Sequence, residues 1–395
     1  IAGKTEDFST VGVTVVDDHT LQIKLAYPVP YLPGLAAHSS WYPVHQATIE
    51  AHGAMDQRGS RWTRPGNLVG NGMFVLNEWK PNQVISVTKS PTYWDAAEVG
   101  LNEIRFYPIE STSSEEAAFR SGQLHVTTGV PIDKLAVYNN DPALNKFISQ
   151  NTILATYYYR FNIRKAPLND VRVRRALSLA INREQLVDKV TLGGQIPARG
   201  LTPSDTAGYT AGDMLHGDFA EARRLLAEAG FPGGEGFPEL EILFNTSDGH
   251  RRIAEAIQQM WRENLGINIG LYNQESKVQS NSMRDGDYTI ARMAWVGDYI
   301  DASTFLDLML SDSGNNQTGW ANDDYDRLVN EARYAIDPQA RFDLYREAEQ
   351  ILMDESPIAP IYFYVNSRLK QPEVKGWHGN LIDIHNYKSV RLEAE

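Results

Sequence analysis

Residues 284–299 read Arg-Asp-Gly-Asp-Tyr-Thr-Ile-Ala-Arg-Met-Ala-Trp-Val-Gly-Asp-Tyr. Their middle, Tyr288–Val296, is rich in β-branched and aromatic residues, which predicts a strand between two Gly-Asp turns. Arg292 is the exception, because a charge in a half-buried strand costs free energy unless it is paired or faces a wet cleft. Arg292 and Asp298 are six residues apart, roughly 20 Å in an extended chain, so we do not expect them to be each other's main partner.

This pair of charges leaves two interpretations open. A cation and an anion that flank a strand carrying Trp295 are suited to holding the two ends of a zwitterion. Alternatively, Arg292 belongs to a structural network and Asp298 caps a turn, since buried charges usually have a partner and often no further role.

The segments that precede this strand predict a parallel sheet with helices. Leu240–Phe244 has the composition of a strand, Ser247 or Asp248 caps a helix that runs to Leu265, and Ile267–Tyr272 is a second predicted strand. A β-α-β unit of this length joins two parallel strands through a right-handed crossover. The fold class is therefore expected to be α/β.

Length and composition limit the classes of protein to consider. A chain of 395 residues is too long for one core and predicts two or three domains, with the Pro- and Gly-rich stretch 197–212 as a candidate crossing. The net charge of −13 argues against nucleic acid or an anionic membrane as a partner. Without cysteine there are no disulfides, thiolate metal sites or cysteine nucleophiles, and no apolar run is long enough to span a membrane. The start, Ile-Ala-Gly-Lys, indicates a processed or truncated chain, so the lack of a signal peptide says nothing about export.

Catalytic and metal-binding motifs are not found. The sequence contains no P-loop, no His-Glu-x-x-His and no Gly-x-Ser-x-Gly, so no catalytic residue, metal ligand or cofactor is predicted. Among the scattered histidines, His250 is placed at the first turn of a helix that follows a strand. Ligands tend to bind at that end of a strand, and first-turn N–H groups favour anions, although a surface histidine is the alternative.

Three consecutive tyrosines lie in a predicted strand over residues 154–162. Adjacent strand residues face opposite sides, so Tyr158 points away from Tyr157 and Tyr159, and at least one of the three is expected to be accessible. For any single one, a core position with a satisfied hydroxyl is the alternative.

Taken together, several motifs resemble the oligopeptide-binding proteins of bacterial ABC importers, in order and over essentially the whole chain. The main matches are Asp170-Val-Arg-Val-Arg-x-Ala-Leu177, Asn245-Thr-Ser-Asp-Gly-His250, Tyr272-Asn-Gln-Glu-Ser-Lys277 and Ile290–Tyr299. Further matches are Pro28–Tyr31, Asn71-Gly72, Pro91–Trp94, Thr156–Tyr159 and Tyr362–Asn366. Any one of these motifs is weak evidence, and the specificity comes from their combination.

The resemblance implies a two-lobed periplasmic-binding-protein fold (type II, cluster C) with part of an extra small domain at the N-terminus. The expected division is a remnant of the small domain in residues 1–46, lobe I in 47–198, lobe II in 199–366 and a return to lobe I in 367–395. Members of the family are longer at the N-terminus, so this chain is expected to begin inside the small domain and to lack the first strand of lobe I.

The resemblance also implies a site. In the family the lobes close on an extended peptide whose main chain pairs with strands on both sides, while its side chains enter roomy hydrated pockets. Asp298 matches the residue that binds the peptide's ammonium group, and Arg292 and His250 match groups that meet its carboxyl end. The other implied site residues are the pairing strand, an aromatic wall, a charged cleft residue and the tyrosine run, namely Ala294, Trp295, Val296, Arg284, Tyr157, Tyr158 and Tyr159. Ser276 replaces a tryptophan that is frequent in the family, which removes a flat pocket wall and leaves the side-chain preference open.

The two groups at the carboxyl end are expected to serve peptides of different length, because they lie on different elements. Arginine is always charged, whereas histidine titrates near pH 6.5, so the contribution of His250 is expected to grow at acidic pH.

The function that the resemblance implies is capture of short peptides outside the cytoplasm and their delivery to the permease subunits of an ABC transporter. The protein is expected to be a monomer, either periplasmic or lipid-anchored on the outer face of the cytoplasmic membrane. Alternatives are the same fold with a dipeptide, glutathione, an oligosaccharide or a nickel chelate as solute, or a peptide receptor without transport. A hydrolase is disfavoured because no nucleophile–base pair is found, and retention of both Arg292 and Asp298 favours a zwitterionic peptide.

Overall fold

The computed structural model describes residues 11–393. Within this range the strands are β1 (Val13–Asp17), β2 (Thr20–Ile23), β3 (Phe74–Lys80), β4 (Val84–Lys89), β5 (Glu103–Phe106), β6 (Ile148–Phe161), β7 (Ile196–Pro197), β8 (Leu240–Asn245), β9 (Ile269–Gln274), β10 (Ile290–Val296), β11 (Ile358–Leu369), β12 (Val374–Lys375) and β13 (Arg391–Leu392). The α-helices are α1 (Leu32–Ala36), α2 (Gln46–Glu50), α3 (Thr112–Arg120), α4 (Ile132–Asn140), α5 (Val171–Leu179), α6 (Arg183–Leu186), α7 (Phe219–Glu228), α8 (Asp248–Leu265), α9 (Ser276–Asp285), α10 (Ser303–Leu306), α11 (Asp323–Tyr334) and α12 (Pro338–Glu355). Single 3₁₀ turns and one π-helical segment complete the list: Ser39–Trp41, Arg61–Thr63, Ala96–Glu98, Asn145–Phe147, Val187–Thr191, Pro232–Gly234 and Asp307–Met309.

Six strands form the main sheet, in the order β7-β11-β6-β10-β8-β9. Strand β10 is parallel to β8, and β8 is parallel to β9, so the predicted β-α-β unit is confirmed. On its other side β10 is antiparallel to β6, with Arg292 opposite Tyr159 and Val296 opposite Ala155. The strand predicted around Arg292 is therefore an interior strand of the sheet.

Helices cover both faces of the main sheet. On one face α5, α7 and α8 pack over Tyr157 and Tyr159, with Trp261 of α8 in the same core. On the other face α10, α11 and α12 pack over Tyr158, next to Phe305. The tyrosines alternate between the faces as the period of a strand predicts. All three are fully buried, so the expectation that one would be accessible is wrong, because helices shield each face of the strand.

A second, smaller body contains the antiparallel sheet β3-β4-β5 together with α3 and α4. Its helices form a core around Phe119, Leu135 and Tyr138, and Leu369, the last residue of β11, is part of that core. Ile148, the first residue of β6, packs against the same core. The two long strands β6 and β11 therefore run from the smaller body into the main sheet.

This arrangement corrects the predicted boundary between residues 198 and 199. That boundary would separate β6 and β7 from β10 and β11, which share one sheet, and α5 from α7 and α8, which share one core. Most of the segment 148–198 therefore shares its sheet and core with residues of the predicted lobe II, since the strands that pair with β6 come more than a hundred residues later in the chain. The other boundaries stay predictions, and residues 1–10 and 394–395 lie outside the described residues.

The N-terminal part of the described chain reaches the main body through aromatic contacts. Strands β1 and β2 form a hairpin of their own. The following segment, residues 27–38, is called the N-terminal strap. The ring of Tyr27 meets Tyr334 edge-on at 5.6 Å, and Tyr31 stacks on Tyr299 with ring centroids 4.4 Å apart and planes 6° apart. The strap thus lies next to the carboxyl end of β10.

A candidate ligand site at strand β10

The carboxyl-terminal half of β10 has a free edge. Strand β8 pairs with β10 only over its first two residues, whereas β6 accompanies β10 as far as Val296. At the start of this edge the side-chain amide of Gln279 donates to the main-chain oxygen of Arg292 at 2.9 Å. Beyond it, residues 293–296 have a strand partner on one side alone. Such an edge offers main-chain N–H and C=O groups to another extended chain.

Arg292 lies at the start of this edge and is held by neutral groups. Its guanidinium donates to Asn245 Oδ1 at 3.2 Å and to Tyr364 Oη at 2.8 Å, and it lies 4.7 Å from the ring centre of Tyr157. Within residues 11–393 no carboxylate is hydrogen-bonded to it. The structural network that the sequence leaves open for Arg292 therefore consists of neutral hydrogen-bond partners, without an ion pair, in this part of the chain.

The surroundings of Arg292 contain unused hydrogen-bonding groups. Its own Nε and the hydroxyls of Tyr157 and Tyr159 are buried and have no hydrogen-bond partner within the described chain. Buried polar groups are usually paired, so unpaired ones at one place need an explanation. A half-buried cation with an unpaired Nε–H of its own and two unpaired hydroxyls beside it is suited to an anion, and a carboxylate forms charge-assisted hydrogen bonds with such groups. We call Arg292, Tyr157, Tyr159, Tyr364, Asn245 and His250 the Arg292 cluster.

Helix α8 brings His250 into this cluster. Ser247 caps the helix by accepting the His250 N–H at 3.5 Å, and the helix ends at Gly266, whose φ of 72° is left-handed. An apolar stripe that includes Trp261 fixes the helix on the sheet. The imidazole is half-buried, with its ring centroid 5.6 Å from that of Tyr157. The predicted position of His250, at the first turn after β8, is confirmed.

The protonation of His250 differs from the sequence-based expectation. Burial, and then the positive charge of Arg292, lowers the pKa of His250 to about 3. The ring is therefore neutral in the free protein at pH 5.5 as well as at pH 8. The ordinary pKa of an exposed histidine therefore does not apply to the free protein, whereas a larger contribution of His250 to peptide binding at acidic pH stays a prediction.

We expect the ring of His250 to show no titration between pH 8 and pH 5 in the folded protein. In the unfolded chain its pKa is about 6.5, so the unfolded state binds more protons between about pH 3 and 6.5. The stability contribution of His250 therefore falls as the pH falls through that window. The measurement is an NMR titration of the imidazole, with the protein in urea as control. A midpoint above pH 5.5 in the folded protein would contradict this prediction.

Asp298 lies at the other end of the free edge. Its side chain is 46% exposed, and its N–H donates to Thr304 Oγ1 at 3.1 Å. Trp295 Nε1–H donates to the same hydroxyl at 3.3 Å, so Thr304 fixes the end of β10. The carboxylate Oδ1 lies 3.7 Å from His38 Nε2 of the N-terminal strap. Arg292 and Asp298 thus have different partners, as their separation predicts.

The remaining predicted site residues divide into two groups. Ala294 and Trp295 are half-buried on the free edge, Val296 is exposed there, and Ser276 is exposed at the first turn of α9, after the carboxyl end of β9. Arg284 is not brought to the site. It is exposed in the last turn of α9, where it donates to Asn281 Oδ1 at 3.0 Å.

Arg284 was predicted as a charged cleft residue, and its position does not fit that role. It precedes the start of β10, whereas Asp298 follows its end, and the strand between them is roughly 20 Å long. Helix α9 starts after the carboxyl end of β9 and ends before the amino end of β10. Arg284, in its last turn, therefore lies at the end of β10 opposite to Asp298.

Four residues of the site were missed by the sequence reasoning. Asn245 and Tyr364 belong to the Arg292 cluster, and Tyr362 stacks on Tyr157 with ring centroids 4.8 Å apart. His38 lies beside Asp298. Tyr362 and Tyr364 alternate in a predicted strand, which puts them on one face, and Asn245 ends another strand. These patterns predict that the side chains share a face or an edge of a sheet, but they do not predict contact with Arg292.

Other candidate features lie elsewhere or are not found. A cavity of about 510 Å³ is lined by residues of the ranges 101–128 and 368–392, so it shares no residue with the β10 site. Between residues 11 and 393 no group of three or more His, Asp or Glu side chains is arranged to hold a metal ion. None of the helices in the same range has the length and apolarity that crossing a membrane requires.

The sequence was compared with known protein families and curated proteins. The profile described as "Bacterial extracellular solute-binding proteins, family 5 Middle" matches residues 2–317. The periplasmic oligopeptide-binding protein OppA of Salmonella typhimurium is 37% identical over 386 residues, which are 96% of this chain and 69% of the relative.

Solved structures of related proteins match the whole fold. The murein tripeptide-binding protein MppA of Escherichia coli has a TM-score of 0.90 at 37% identity, over 97% of this chain and 75% of that chain. OppA of Haemophilus influenzae, solved in complex with the peptide RPPGFSPFR, has a TM-score of 0.86 at 33% identity, over 96% of this chain and 75% of that chain. The predicted two-lobed fold is confirmed by these neighbours.

One comparison concerns the arrangement of the lobes. MppA in its unliganded open form gives a TM-score of 0.70 over 96% of this chain and 73% of that chain, lower than the 0.90 of the other MppA structure at the same identity. The difference indicates that the lobes of this chain are not arranged as in that open form.

Proposed function

The chain belongs to family 5 of the bacterial extracellular solute-binding proteins, and from that premise we propose that it captures short zwitterionic peptides along the free edge of β10. The bound peptide is then delivered to the permease subunits of an ABC importer. One observation carries this proposal: an unpaired strand edge that runs from a half-buried cation, for which residues 11–393 supply no anion, to an exposed carboxylate. Main-chain pairing tolerates any peptide sequence, while the two charges select free termini.

The positions of the charges set the direction and length of the ligand. The ammonium group binds Asp298 after the end of β10, and the carboxylate binds near Arg292 in the first half of the strand. The peptide therefore runs antiparallel to β10. The span is roughly 20 Å and each extended residue advances about 3.3 Å, which suits peptides of roughly three to five residues once the reach of the arginine side chain is included.

The role proposed here is that of a carrier rather than a catalyst. The curated relatives are named as binding proteins, and a solute-binding protein works outside the cytoplasm. We place this chain in the periplasm, with a lipid anchor on the outer face of the cytoplasmic membrane as the alternative, and as a monomer. Release of intact ligand after incubation distinguishes a carrier from a peptidase.

We expect Asp298→Asn to weaken the binding of trialanine by about tenfold to a hundredfold. A hydrogen bond to a charged group contributes about 1.5–3 kcal/mol, and the amide retains the shape of the side chain but not its charge. The measurement is isothermal calorimetry. Asp312→Asn is the matched control, since Asp312 is an exposed carboxylate outside the site and its removal changes the net charge equally. If the two variants bind trialanine equally well, Asp298 does not hold the ammonium group.

The experiment that tests the function combines native mass spectrometry with calorimetry. Native spectra of the purified protein report any peptide carried through purification, and calorimetry with trialanine and N-acetyl-trialanine reports the need for a free amino group. The expected result is micromolar or tighter binding of trialanine and at least tenfold weaker binding of the acetylated form. Equal binding of both peptides, or binding of neither, would refute capture of zwitterionic peptides at this site.

A further inference from the structure

The N-terminal strap brings His38 to the amino end of the proposed site. His38 Nε2 lies 3.7 Å from Asp298 Oδ1, close enough for electrostatic attraction but longer than a hydrogen bond. The imidazole is only 30% exposed although it lies on a surface segment. If Asp298 alone bound the ammonium group of the ligand, the site would need no second polar side chain beside Asp298.

The tautomer of His38 follows from its other contacts. Nδ1 accepts the N–H of Ser40 at 3.3 Å and lies 2.8 Å from Ser40 Oγ. A ring nitrogen that accepts a main-chain N–H carries no hydrogen, so the hydrogen of the neutral ring is on Nε2. His38 therefore presents a hydrogen-bond donor, rather than a second acceptor, to the carboxylate of Asp298.

The position of His38 is fixed by the strap and not by a single flexible side chain. Tyr31 stacks on Tyr299, the residue after Asp298, and the guanidinium of Arg341 lies 5.8 Å from the ring centre of Tyr31. Gly34 lies beside Tyr299, where an added Cβ would be in ordinary van der Waals contact with the tyrosine Cβ at 3.9 Å. These contacts fix the strap beside Tyr299, the residue that follows Asp298.

We propose that His38 is a specificity-determining residue for the amino terminus of the ligand. When the ligand binds, His38 Nε2–H approaches one oxygen of Asp298, from the 3.7 Å seen here to hydrogen-bonding distance, and orients the carboxylate so that the other oxygen faces the ammonium group. The strap closes the site behind that ammonium group, so an N-acyl group would meet the stacked rings of Tyr31 and Tyr299. This inference rests on the proposed function, because it assumes that Asp298 binds the amino end of a peptide.

The test is a double-mutant cycle between His38 and Asp298, read with two ligands. Calorimetry with trialanine and with its desamino analogue, propanoyl-Ala-Ala, is carried out on the parent protein, His38→Ala, Asp298→Asn and the double variant. We expect His38→Ala to weaken trialanine binding about tenfold, and to change binding by less than twofold when either Asp298 or the ligand's amino group is absent. A purely structural role of His38 would weaken both ligands equally in both backgrounds.

The conservative variant His38→Gln provides a second readout. Its side-chain amide places an N–H near the position of Nε2, so we expect affinity for trialanine within threefold of the parent. If His38→Gln is as weak as His38→Ala, the Nε2–H does not orient Asp298 and the inference is overturned. A parent protein that binds trialanine and propanoyl-Ala-Ala equally would refute the proposed function itself. A parent that discriminates between them while His38→Ala behaves identically would refute only the role of His38.

Discussion

Replacing Arg292 by methionine is expected to weaken trialanine binding by about thirtyfold to several thousandfold. Loss of one partner of a buried, hydrogen-bonded charge pair costs about 2–5 kcal/mol, because the other charge stays desolvated and unpaired. Methionine keeps much of the length and apolar volume of the arginine stem, so the Arg292 cluster keeps its packing. Only the charge and the donors to the carboxylate are removed. Calorimetry at pH 8 with trialanine is the measurement.

Arg284→Met is the matched control for this prediction. Both arginines were predicted to line the cleft, but Arg284 is exposed at the opposite end of β10, so its replacement should leave affinity within twofold of the parent.

Tetra-alanine and penta-alanine test whether the Arg292 cluster discriminates between peptides of different length. Arg292→Met is expected to weaken one length class selectively, and His250→Ala a class one residue longer or shorter. Equal losses across all lengths would mean that the cluster shapes the cleft without measuring the peptide.

Asp301→Asn is expected to lower the free energy of unfolding by about 3–5 kcal/mol. Asp301 accepts two hydrogen bonds from the guanidinium of Arg341, at 2.8 and 2.7 Å, and the two side chains are 6% and 8% exposed. Removing one charge of a buried pair leaves the other desolvated and uncompensated. The measurement is urea unfolding followed by circular dichroism, which reports the midpoint and the slope separately.

The exposed pair of Asp343 and Arg346 on the same helix as Arg341 is the control for that experiment. Both of its side chains are in water, where ion pairs contribute little, so Asp343→Asn should leave the midpoint unchanged. A shift of the midpoint equal to that of Asp301→Asn would mean that net charge, rather than the buried pair, accounts for the loss of stability.

Local sequence patterns were sufficient for the elements that carry the site. The caps and stripe of α8 placed His250 at the carboxyl end of β8, and the composition around Arg292 placed that residue inside a strand. The free edge of β10 was not predictable from those patterns. It depends on where β8 stops pairing, which is set by the packing of the whole sheet and not by the residues of either strand.

The incorrect expectations have a common physical cause. The burial of Tyr158 depends on helices more than a hundred residues away, and the correct body for β6 depends on strands equally distant. The pKa of His250 depends on burial and on Arg292, which approaches only in the folded protein. His38 was missed for the same reason, because its neighbour Asp298 lies on a segment far along the chain.

The order of strands in the main sheet also determines when the sheet can form during synthesis of the chain. The central strand β6 is made early, whereas its two neighbours β10 and β11 begin about 130 and 200 residues later. At a synthesis rate of about 5–20 residues per second, β6 waits on the order of ten seconds for its first partner. During that interval both edges of an apolar strand are open to other chains, and the long loops to be closed make folding slow. The sheet that carries the proposed ligand site is therefore completed only when the last third of the chain has emerged.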